Sequence, residues 1–456
     1  MSSRPQPSRV LVVAPRGVLT HVAGVLFELH SMGVELVFAS KTRHVEQVRL
    51  PNGLLERGRV SVVRFPLRRL GTNAEAVKAV RLLADYVRFL GPNLRTAEYP
   101  RSRISGRLRA LGLSGATEQA PALSGAQHAW LRQALGDVER LVEPQPELED
   151  AVARLQPDGI LLVTRCSFGG PEPDVIKVAR RLGLPSIMLV WSWDNLSSKS
   201  VLHEHPDHVL VWNDIQRTEA VELHGIAPEQ VSVVGAPNFD RFFEEVESLP
   251  NRSTRAREPA TIVYLGSSPN VAPDEPVIFD RWLEAVRASG DPTLQHASIV
   301  ARPHPASVDR WRAWSAPRGV SVDEPRAKVD QPALARLLSE ADVAVALNTS
   351  AEIEAAIAGC PVVTFRAGPD APGQEGSLHF SYLLSAEGGF ALDASSLDDH
   401  VSRLAAVLSG EYDHGELPRF VQRFVRPGGL AVPVSPVVAA TVLDLIDARR
   451  PVTAGA

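Results

Sequence analysis

Four short polar stretches each follow directly on an apolar run: Gly266-Ser-Ser-Pro269, Arg302-Pro-His-Pro305, Ser321-Val-Asp-Glu324 and Asn348-Thr-Ser350. The last leads into Ala351-Glu-Ile-Glu354, which reads as a helix stopping at Gly359 before a new apolar strand from Pro361 to Phe365. Backbone N–H groups at a helix start lack partners, so such a junction suits a phosphate or a ribose at the carboxyl ends of a parallel sheet. A carboxylate at Glu354, about one turn in, can accept hydrogen bonds from two ribose hydroxyls. Gly266 permits close backbone approach. Ser267, Ser268, Asn348, Thr349 and Ser350 can donate to phosphoryl oxygens. Arg302 and His304 can face a diphosphate and stabilise the charge that develops on a leaving group, and Ser321 to Glu324 can supply a third loop for a base. Read one at a time, these are ordinary turns and a solvated helix carboxylate; their convergence is what points to a nucleotide.

A second set lies in the first half. Strand Val10–Ala14 is followed by Arg16-Gly-Val-Leu-Thr-His21, which puts Thr20 and His21 at or near the start of a helix. A neutral histidine there can take a proton from an acceptor hydroxyl; the plainer alternative is a helix histidine bonded to a carbonyl. Strand Pro185–Val190 delivers Trp191, Trp193, Asp194 and Asn195. Tryptophan can stack on a sugar, and Asp194 can accept sugar hydroxyls or act as the base in place of His21. Asp194 or Asn195 can equally cap a turn. Lys199 and His203 add electrostatic contacts of unfixed direction. In the loop Gly368 to Phe380, Gln374, Glu375 and His379 are candidates for contact with sugar hydroxyls.

The elements that must position these groups alternate between strand and helix. Val10–Ala14, Val34–Phe38, Arg59–Phe65, Gly159–Val163, Pro185–Val190, Asp207–Trp212 and Val231–Val234 are short apolar runs of the kind a parallel sheet covered on both faces requires, with a helix over Gly17–Met32. Residues 73–150 break the rhythm and are mostly helical in composition. A polar run from Pro250 to Pro259 precedes a second α/β series. The expected organisation is a first Rossmann-like domain over 1–245 with a helical insertion at about 73–150, a second over 256–430, and a terminal helix over 431–456 that returns to the first domain.

At 456 residues the chain is too long for one comfortable core, and two domains of roughly 200 residues are expected. A net charge of -5 gives no reason to expect nucleic acid. The basic excess from Arg68 to Arg109 fits a solvated helical face, a docking surface for anionic lipid or an acceptor surface. Cys166 and Cys360 sit in apolar contexts and are expected to be reduced and buried. With no signal-peptide pattern and no apolar run approaching about 20 residues, the expected location is the cytoplasm, with any membrane contact peripheral. No His/Cys/Asp/Glu spacing suggests zinc, and Pro15-Arg-Gly-Val18 lacks the glycine pattern of a dinucleotide fingerprint.

The C-terminal half resembles the donor domain of GT-B glycosyltransferases, whose glutamate, small residues, glycine and proline-valine-valine pattern matches Glu354 to Val363. The resemblance implies that Glu354 binds the donor ribose. Arg302-Pro-His-Pro305 resembles the histidine-proline motif of bacterial sialyl- and polysialyltransferases and the basic motif of teichoic-acid glycerophosphotransferases, which implies that His304 lies at nucleotide phosphates, with Asn348, Thr349 and Ser350 matching a serine-rich phosphate loop loosely. Trp191 to Lys199, Val211 to Gly225 and Gly235 to Asp240 resemble uncharacterised bacterial GT-B-like surface-polysaccharide proteins. Retaining GT-B enzymes often carry a second glutamate eight positions earlier; Ala346-Leu347 stands there, which points to an inverting mechanism.

The resemblance thus implies a metal-independent glycosyltransferase of cell-envelope glycan or natural-product synthesis. It would have no tightly bound cofactor and would use a UDP- or CMP/CDP-linked sugar and a hydroxyl-bearing acceptor, with domain closure excluding water. The alternatives are a CDP-alcohol phosphotransferase, a nucleotide-sugar epimerase, and a noncatalytic sugar- or nucleotide-binding scaffold. The sequence fixes neither oligomeric state nor sugar.

Overall fold

The computed structural model describes residues 8–449 apart from 16, 42–47, 92–93, 95–96, 120–122, 251–258, 327–329 and 375–376. The chain forms two compact units, Met1–Asn238 with Arg426–Ala456, and Phe239–Val425.

The first unit is built on seven parallel strands: β1 (Arg9–Val13), β2 (Glu35–Ser40), β3 (Val60–Arg64), β4 (Gly159–Thr164), β5 (Ser186–Val190), β6 (His208–Val211) and β7 (Val231–Val233). Their order is β3-β2-β1-β4-β5-β6-β7. The apolar runs are continuous because both faces are covered, and period-two alternation sorts them. Val10, Val12, Leu161, Val163, Ile187 and Leu189 join a core with the helices Ala23–Ser31 and Val434–Asp447. Leu11, Val13, Ile160, Leu162, Met188 and Val190 face the opposite core, under Pro146–Leu155 and Glu172–Arg181.

The helix expected over Gly17–Met32 starts six residues late. Gly17 has φ 78° and the Val18 N–H donates to Pro15 O, so residues 17–22 are turns and the helix runs Ala23–Ser31.

Between β3 and β4 the helices Ala74–Arg88, Glu98–Ala110, Ser114–Gln119 and Gly125–Arg140 form the insertion. Buried charge ties it to the sheet-covering layer. Arg81 bonds Glu139 at 2.8 Å and Asp174 at 3.1 Å, Arg69 meets Asp174 at 2.6 Å, and Lys177 lies 3.0 Å from Glu139. Burial alone would push the Asp174 carboxyl up, but the hydrogen bonds and charges of Arg81 and Arg69 hold it below the ordinary carboxylate value. Removing one member of such a cluster strands the others without compensation.

The second unit has six parallel strands: β8 (Thr261–Leu265), β9 (Ser298–Arg302), β10 (Val320–Val322), β11 (Val343–Ala346), β12 (Val362–Phe365) and β13 (Leu392–Ala394), ordered β10-β9-β8-β11-β12-β13. Its core includes an aromatic group of Tyr264, Phe279, Trp282 and Trp311. In each sheet the strand order reverses beside its first strand, between β1 and β4 and between β8 and β11. Ligands of open α/β sheets collect outside the carboxyl ends at such a switch point. Both cysteines are buried, and neither is in a disulfide. No described helix is long and apolar enough to cross a membrane.

Candidate functional site

At the switch point of the second sheet, Gly266 follows β8 and its N–H donates to Arg302 O at 2.8 Å. A Cβ there would lie 2.8 Å from His304 N and 3.0 Å from Arg302 O, so only glycine lets the loops after β8 and β9 close on each other. Gly266 therefore positions His304. The His304 ring accepts the Ala306 N–H on Nδ1 at 3.0 Å, which in the neutral imidazole puts the ring proton on Nε2.

Several of the expected phosphate-loop residues also hold the fold together, chiefly through their backbones. The Ser267 N–H donates to both oxygens of Glu275, at 2.8 and 2.9 Å, and Ser267 is fully buried. Ser268 O closes a turn by accepting from Val271 and Ala272. The Thr349 N–H donates to Glu352 at 2.9 Å, and Asn348 Nδ2 reaches Gly373 O and Ser377 Oγ at 3.4 and 3.3 Å. Ser350 remains exposed at the helix start. Gln374 is fully engaged: its amide donates to Leu347 O and Phe365 O at 2.8 and 2.7 Å, and its oxygen accepts from Ala367 at 3.0 Å. It staples the loop to β11 and β12 rather than presenting a group to a sugar. His379 is buried, and Glu375 lies outside the described residues.

The same accounting separates the charged pair. Arg302 is 7 % exposed and ion-paired with Asp323 and, at 3.6 Å, with Asp330. It is held by carboxylates rather than waiting for a diphosphate. Glu354 is half-buried, and among the described residues its carboxylate takes no hydrogen bond. Burial pushes it up to about 7, against the opposing charge of Arg302. Two neighbours that sequence reasoning did not rank are also acids: burial raises Glu275 and Glu352 to about 8, opposed by the Ser267 and Thr349 N–H groups. Glu352 was visible in the first helical turn, but its fully buried side chain was not.

At the switch point of the first sheet, His21 and Trp191 meet with ring centroids 4.9 Å apart. Arg165, the residue directly after β4, lies over the Trp191 ring at 5.2 Å. Its position at a strand end was the signal that could have found it, as it found Arg302. Cys166, which follows, adopts φ 47°, a left-handed conformation that costs a non-glycine residue about 1 kcal/mol or more. Thr20 is exposed, with its hydroxyl 3.4 Å from Gly17 O.

The remaining first-unit candidates are structural. Trp193 is 4 % exposed, too buried to stack on a sugar. Asn195 is buried, and its side-chain oxygen reaches back to accept the Ser192 N–H, bracing the turn. Asp194 accepts from Ser192 Oγ at 2.8 Å, Ser198 Oγ at 3.1 Å and Asn195 Nδ2 at 3.3 Å, and pairs with Lys199 at 2.7 Å. The Asp194 carboxylate is thus held by four groups of its own loop. The insertion grips the chain just beyond. Arg88 donates to Lys199 O at 2.6 Å and to Leu196 O, while Asp85 accepts from Ser200 Oγ and the Val201 N–H, both at 2.8 Å. Among the described residues no three His, Cys, Asp or Glu side chains are grouped to hold a metal ion.

No protein-family model matches the chain, and no curated protein matches it in sequence. Solved structures do match in fold. The UDP-GlcNAc 2-epimerase of Neisseria meningitidis bound to UDP-GlcNAc superposes with a TM-score of 0.50 at 12% identity, covering 96% of this chain and 100% of that one. The UDP-GlcNAc 2-epimerase of Methanocaldococcus jannaschii gives 0.50 at 12% identity, over 96% and 99%. The UDP-N-acetylglucosamine 2-epimerase of Rickettsia bellii gives 0.50 at 11% identity, over 98% and 99%. The fold of this chain is GT-B-like: two Rossmann-like α/β units with parallel sheets, the first carrying a helical insertion.

Proposed function

We propose that this protein is an enzyme acting on a nucleoside-diphosphate sugar, with cleavage of the bond between the anomeric carbon and the diphosphate as the central event. The observation that carries the reading is Glu354, a half-buried carboxylate that takes no hydrogen bond among the described residues, beside Arg302 at the switch point of the second sheet. An ionised carboxylate there accepts two ribose hydroxyls, and His304 Nε2–H donates to a phosphate oxygen. Asn348, Thr349 and Ser350 line the turn between them and the helix.

Among reactions that open this way, epimerisation at the sugar carbon next to the anomeric centre is the first reading. Its support is the fold shared over nearly the whole chain with UDP-GlcNAc 2-epimerases, together with the Glu354 site. Glycosyl transfer to an acceptor hydroxyl is the second reading, supported by the His21–Trp191 pair, which places an imidazole beside an aromatic surface. On either reading the site is a cytoplasmic one that needs no bound metal.

Two steps test the proposal. A thermal-shift panel of UDP, GDP, CDP, CMP and TDP against ATP and NAD identifies the nucleotide; stabilisation by none of them ends the reading. Proton NMR of the matching nucleotide sugar, UDP-GlcNAc for UDP, is then followed in D2O without acceptor. Epimerisation breaks the C2–H bond, so deuterium enters C2 and the second epimer appears. Transfer leaves C2–H intact and releases nucleotide only when an acceptor hydroxyl is supplied.

A further inference from the structure

Arg165, at the carboxyl end of β4, is a poorly compensated cation among the described residues. Its Nε is walled off from solvent and unbonded, and among the described residues its guanidinium makes neither a hydrogen bond nor an ion pair. The carboxylate acting on it is Asp194, and Asp194 is already committed to Lys199 at 2.7 Å and to three further donors. Two cations thus share one carboxylate, leaving a surplus positive charge beside Trp191. Burial pulls the guanidinium down from its ordinary value, yet it stays charged at any physiological pH. The turn that aims it is held by the costly left-handed backbone at Cys166 and by the Cys166 N–H donating to Thr164 Oγ1 at 2.8 Å.

Holding an arginine half out of water without a partner is unfavourable, and a ligand that supplies one recovers the loss. The geometry points to an oxyanion site at the carboxyl end of β4, in which the terminal Nη1 and Nη2 of Arg165 receive a carboxylate or phosphate side by side. Asp194 and Lys199 hold the neighbouring loop, and Trp191 supports the guanidinium from its ring face. The anion is borne either by the nucleotide sugar or by a separate substrate. The site deepens the nucleotide-sugar reading, but anion capture can be read without any nucleotide.

The test is tryptophan emission of the full chain at fixed ionic strength, titrated separately with inorganic phosphate, sodium acetate, UDP and uridine. A saturable change with phosphate, acetate or UDP is expected, absent in Trp191→Phe and weakened at least tenfold in Arg165→Gln. Arg165→Lys, which keeps the charge but loses the fork, should fall between, and it serves as the reporter if the Gln variant fails to fold. A response to UDP alone places the anion on the nucleotide; a response to phosphate or acetate places it on a separate molecule. If UDP neither binds nor stabilises the protein while phosphate or acetate still does, the enzymatic reading fails and the anion site stands. Equal responses in wild type and Arg165→Gln, or no saturable response to any of the anions, would overturn the site.

Discussion

The two switch points carry the same kinds of charge with opposite bookkeeping. Among the described residues, the carboxylate Asp194 at the first sheet is saturated while the arginine Arg165 has no hydrogen bond or ion pair. At the second the arginine Arg302 is paired with Asp323 and Asp330, and the Glu354 carboxylate takes no hydrogen bond among the described residues. An unspent guanidinium calls for an oxyanion, and an unspent carboxylate calls for hydroxyl or N–H donors such as those of a ribose. Residue type at a strand end therefore does not reveal its ligand; what matters is which partner the fold has left without company. The regions also differ in support. The first is gripped from outside its sheet by the insertion through Asp85 and Arg88, whereas the second is set by its own loops, through Gly266 and the buried acids Glu275 and Glu352.

That difference predicts unequal responses to pH. The Glu352 carboxyl ionises near the ordinary glutamate value of 4.5 when unfolded but near 8 when folded, so between those values the folded state holds the extra proton. Stability from this group is complete below about pH 4.5 and is lost as pH rises toward 8, by about 5 kcal/mol at most. Glu352→Gln stays neutral and keeps the oxygen that accepts from Thr349. Urea unfolding should show it more stable than wild type at pH 9 and indistinguishable at pH 4. A parallel pH response in the two proteins would mean that Glu352 is not held protonated.

Breaking the grip on the first region should cost less than that ceiling, but still substantially. Arg88→Met leaves the Leu196 and Lys199 carbonyls without their donor and Asp85 without its nearby positive charge, a loss of about 3 kcal/mol. Urea unfolding should report it, with Trp191 emission shifting as the loop loosens. An unchanged midpoint would show that the insertion does not hold this loop.

The smallest effect is expected at Asp194. Asp194→Asn keeps an oxygen for Ser192 and loses a partly exposed pair with Lys199, so stability should change by under about 1 kcal/mol. Turnover should stay within about tenfold, because the four groups that hold Asp194 give it a structural part. A hundredfold loss of turnover at unchanged stability would restore Asp194 as the base and dissolve the contrast between the regions.

The sheets were legible because parallel strands buried on both faces, such as Gly159–Thr164, need unbroken apolar runs. The start of the first helix was not. Val18, Leu19 and Val22 have helical spacing with Val25 and Leu26, and only the left-handed Gly17 and the turn from Pro15 delay it. Clustering of polar residues after β8, β9 and β11 was also readable, since parallel strands bring their carboxyl ends to one edge. Which of those residues are spent was not readable. Gln374 looks like a ligand-binding group until the partners supplied by Leu347, Phe365 and Ala367 are known, and those partners are set by tertiary packing. Arg165 was passed over for the converse reason: that it makes no hydrogen bond or ion pair among the described residues is visible only in three dimensions.

The central claim is that Glu354 reads the ribose, and calorimetry tests it most directly. The nucleotide selected by thermal shift is compared with its 2′-deoxy and 3′-deoxy forms against wild type and Glu354→Gln at pH 8, where a carboxyl titrating near 7 is ionised. Wild type should lose about 10- to 100-fold in affinity on removal of a hydroxyl, the equivalent of roughly 1.5–3 kcal/mol for a charged hydrogen bond. Glu354→Gln should bind the intact nucleotide correspondingly more weakly and discriminate far less between it and the deoxy forms. Equal hydroxyl penalties in the two proteins would show that Glu354 is a helix carboxylate with no part in nucleotide recognition.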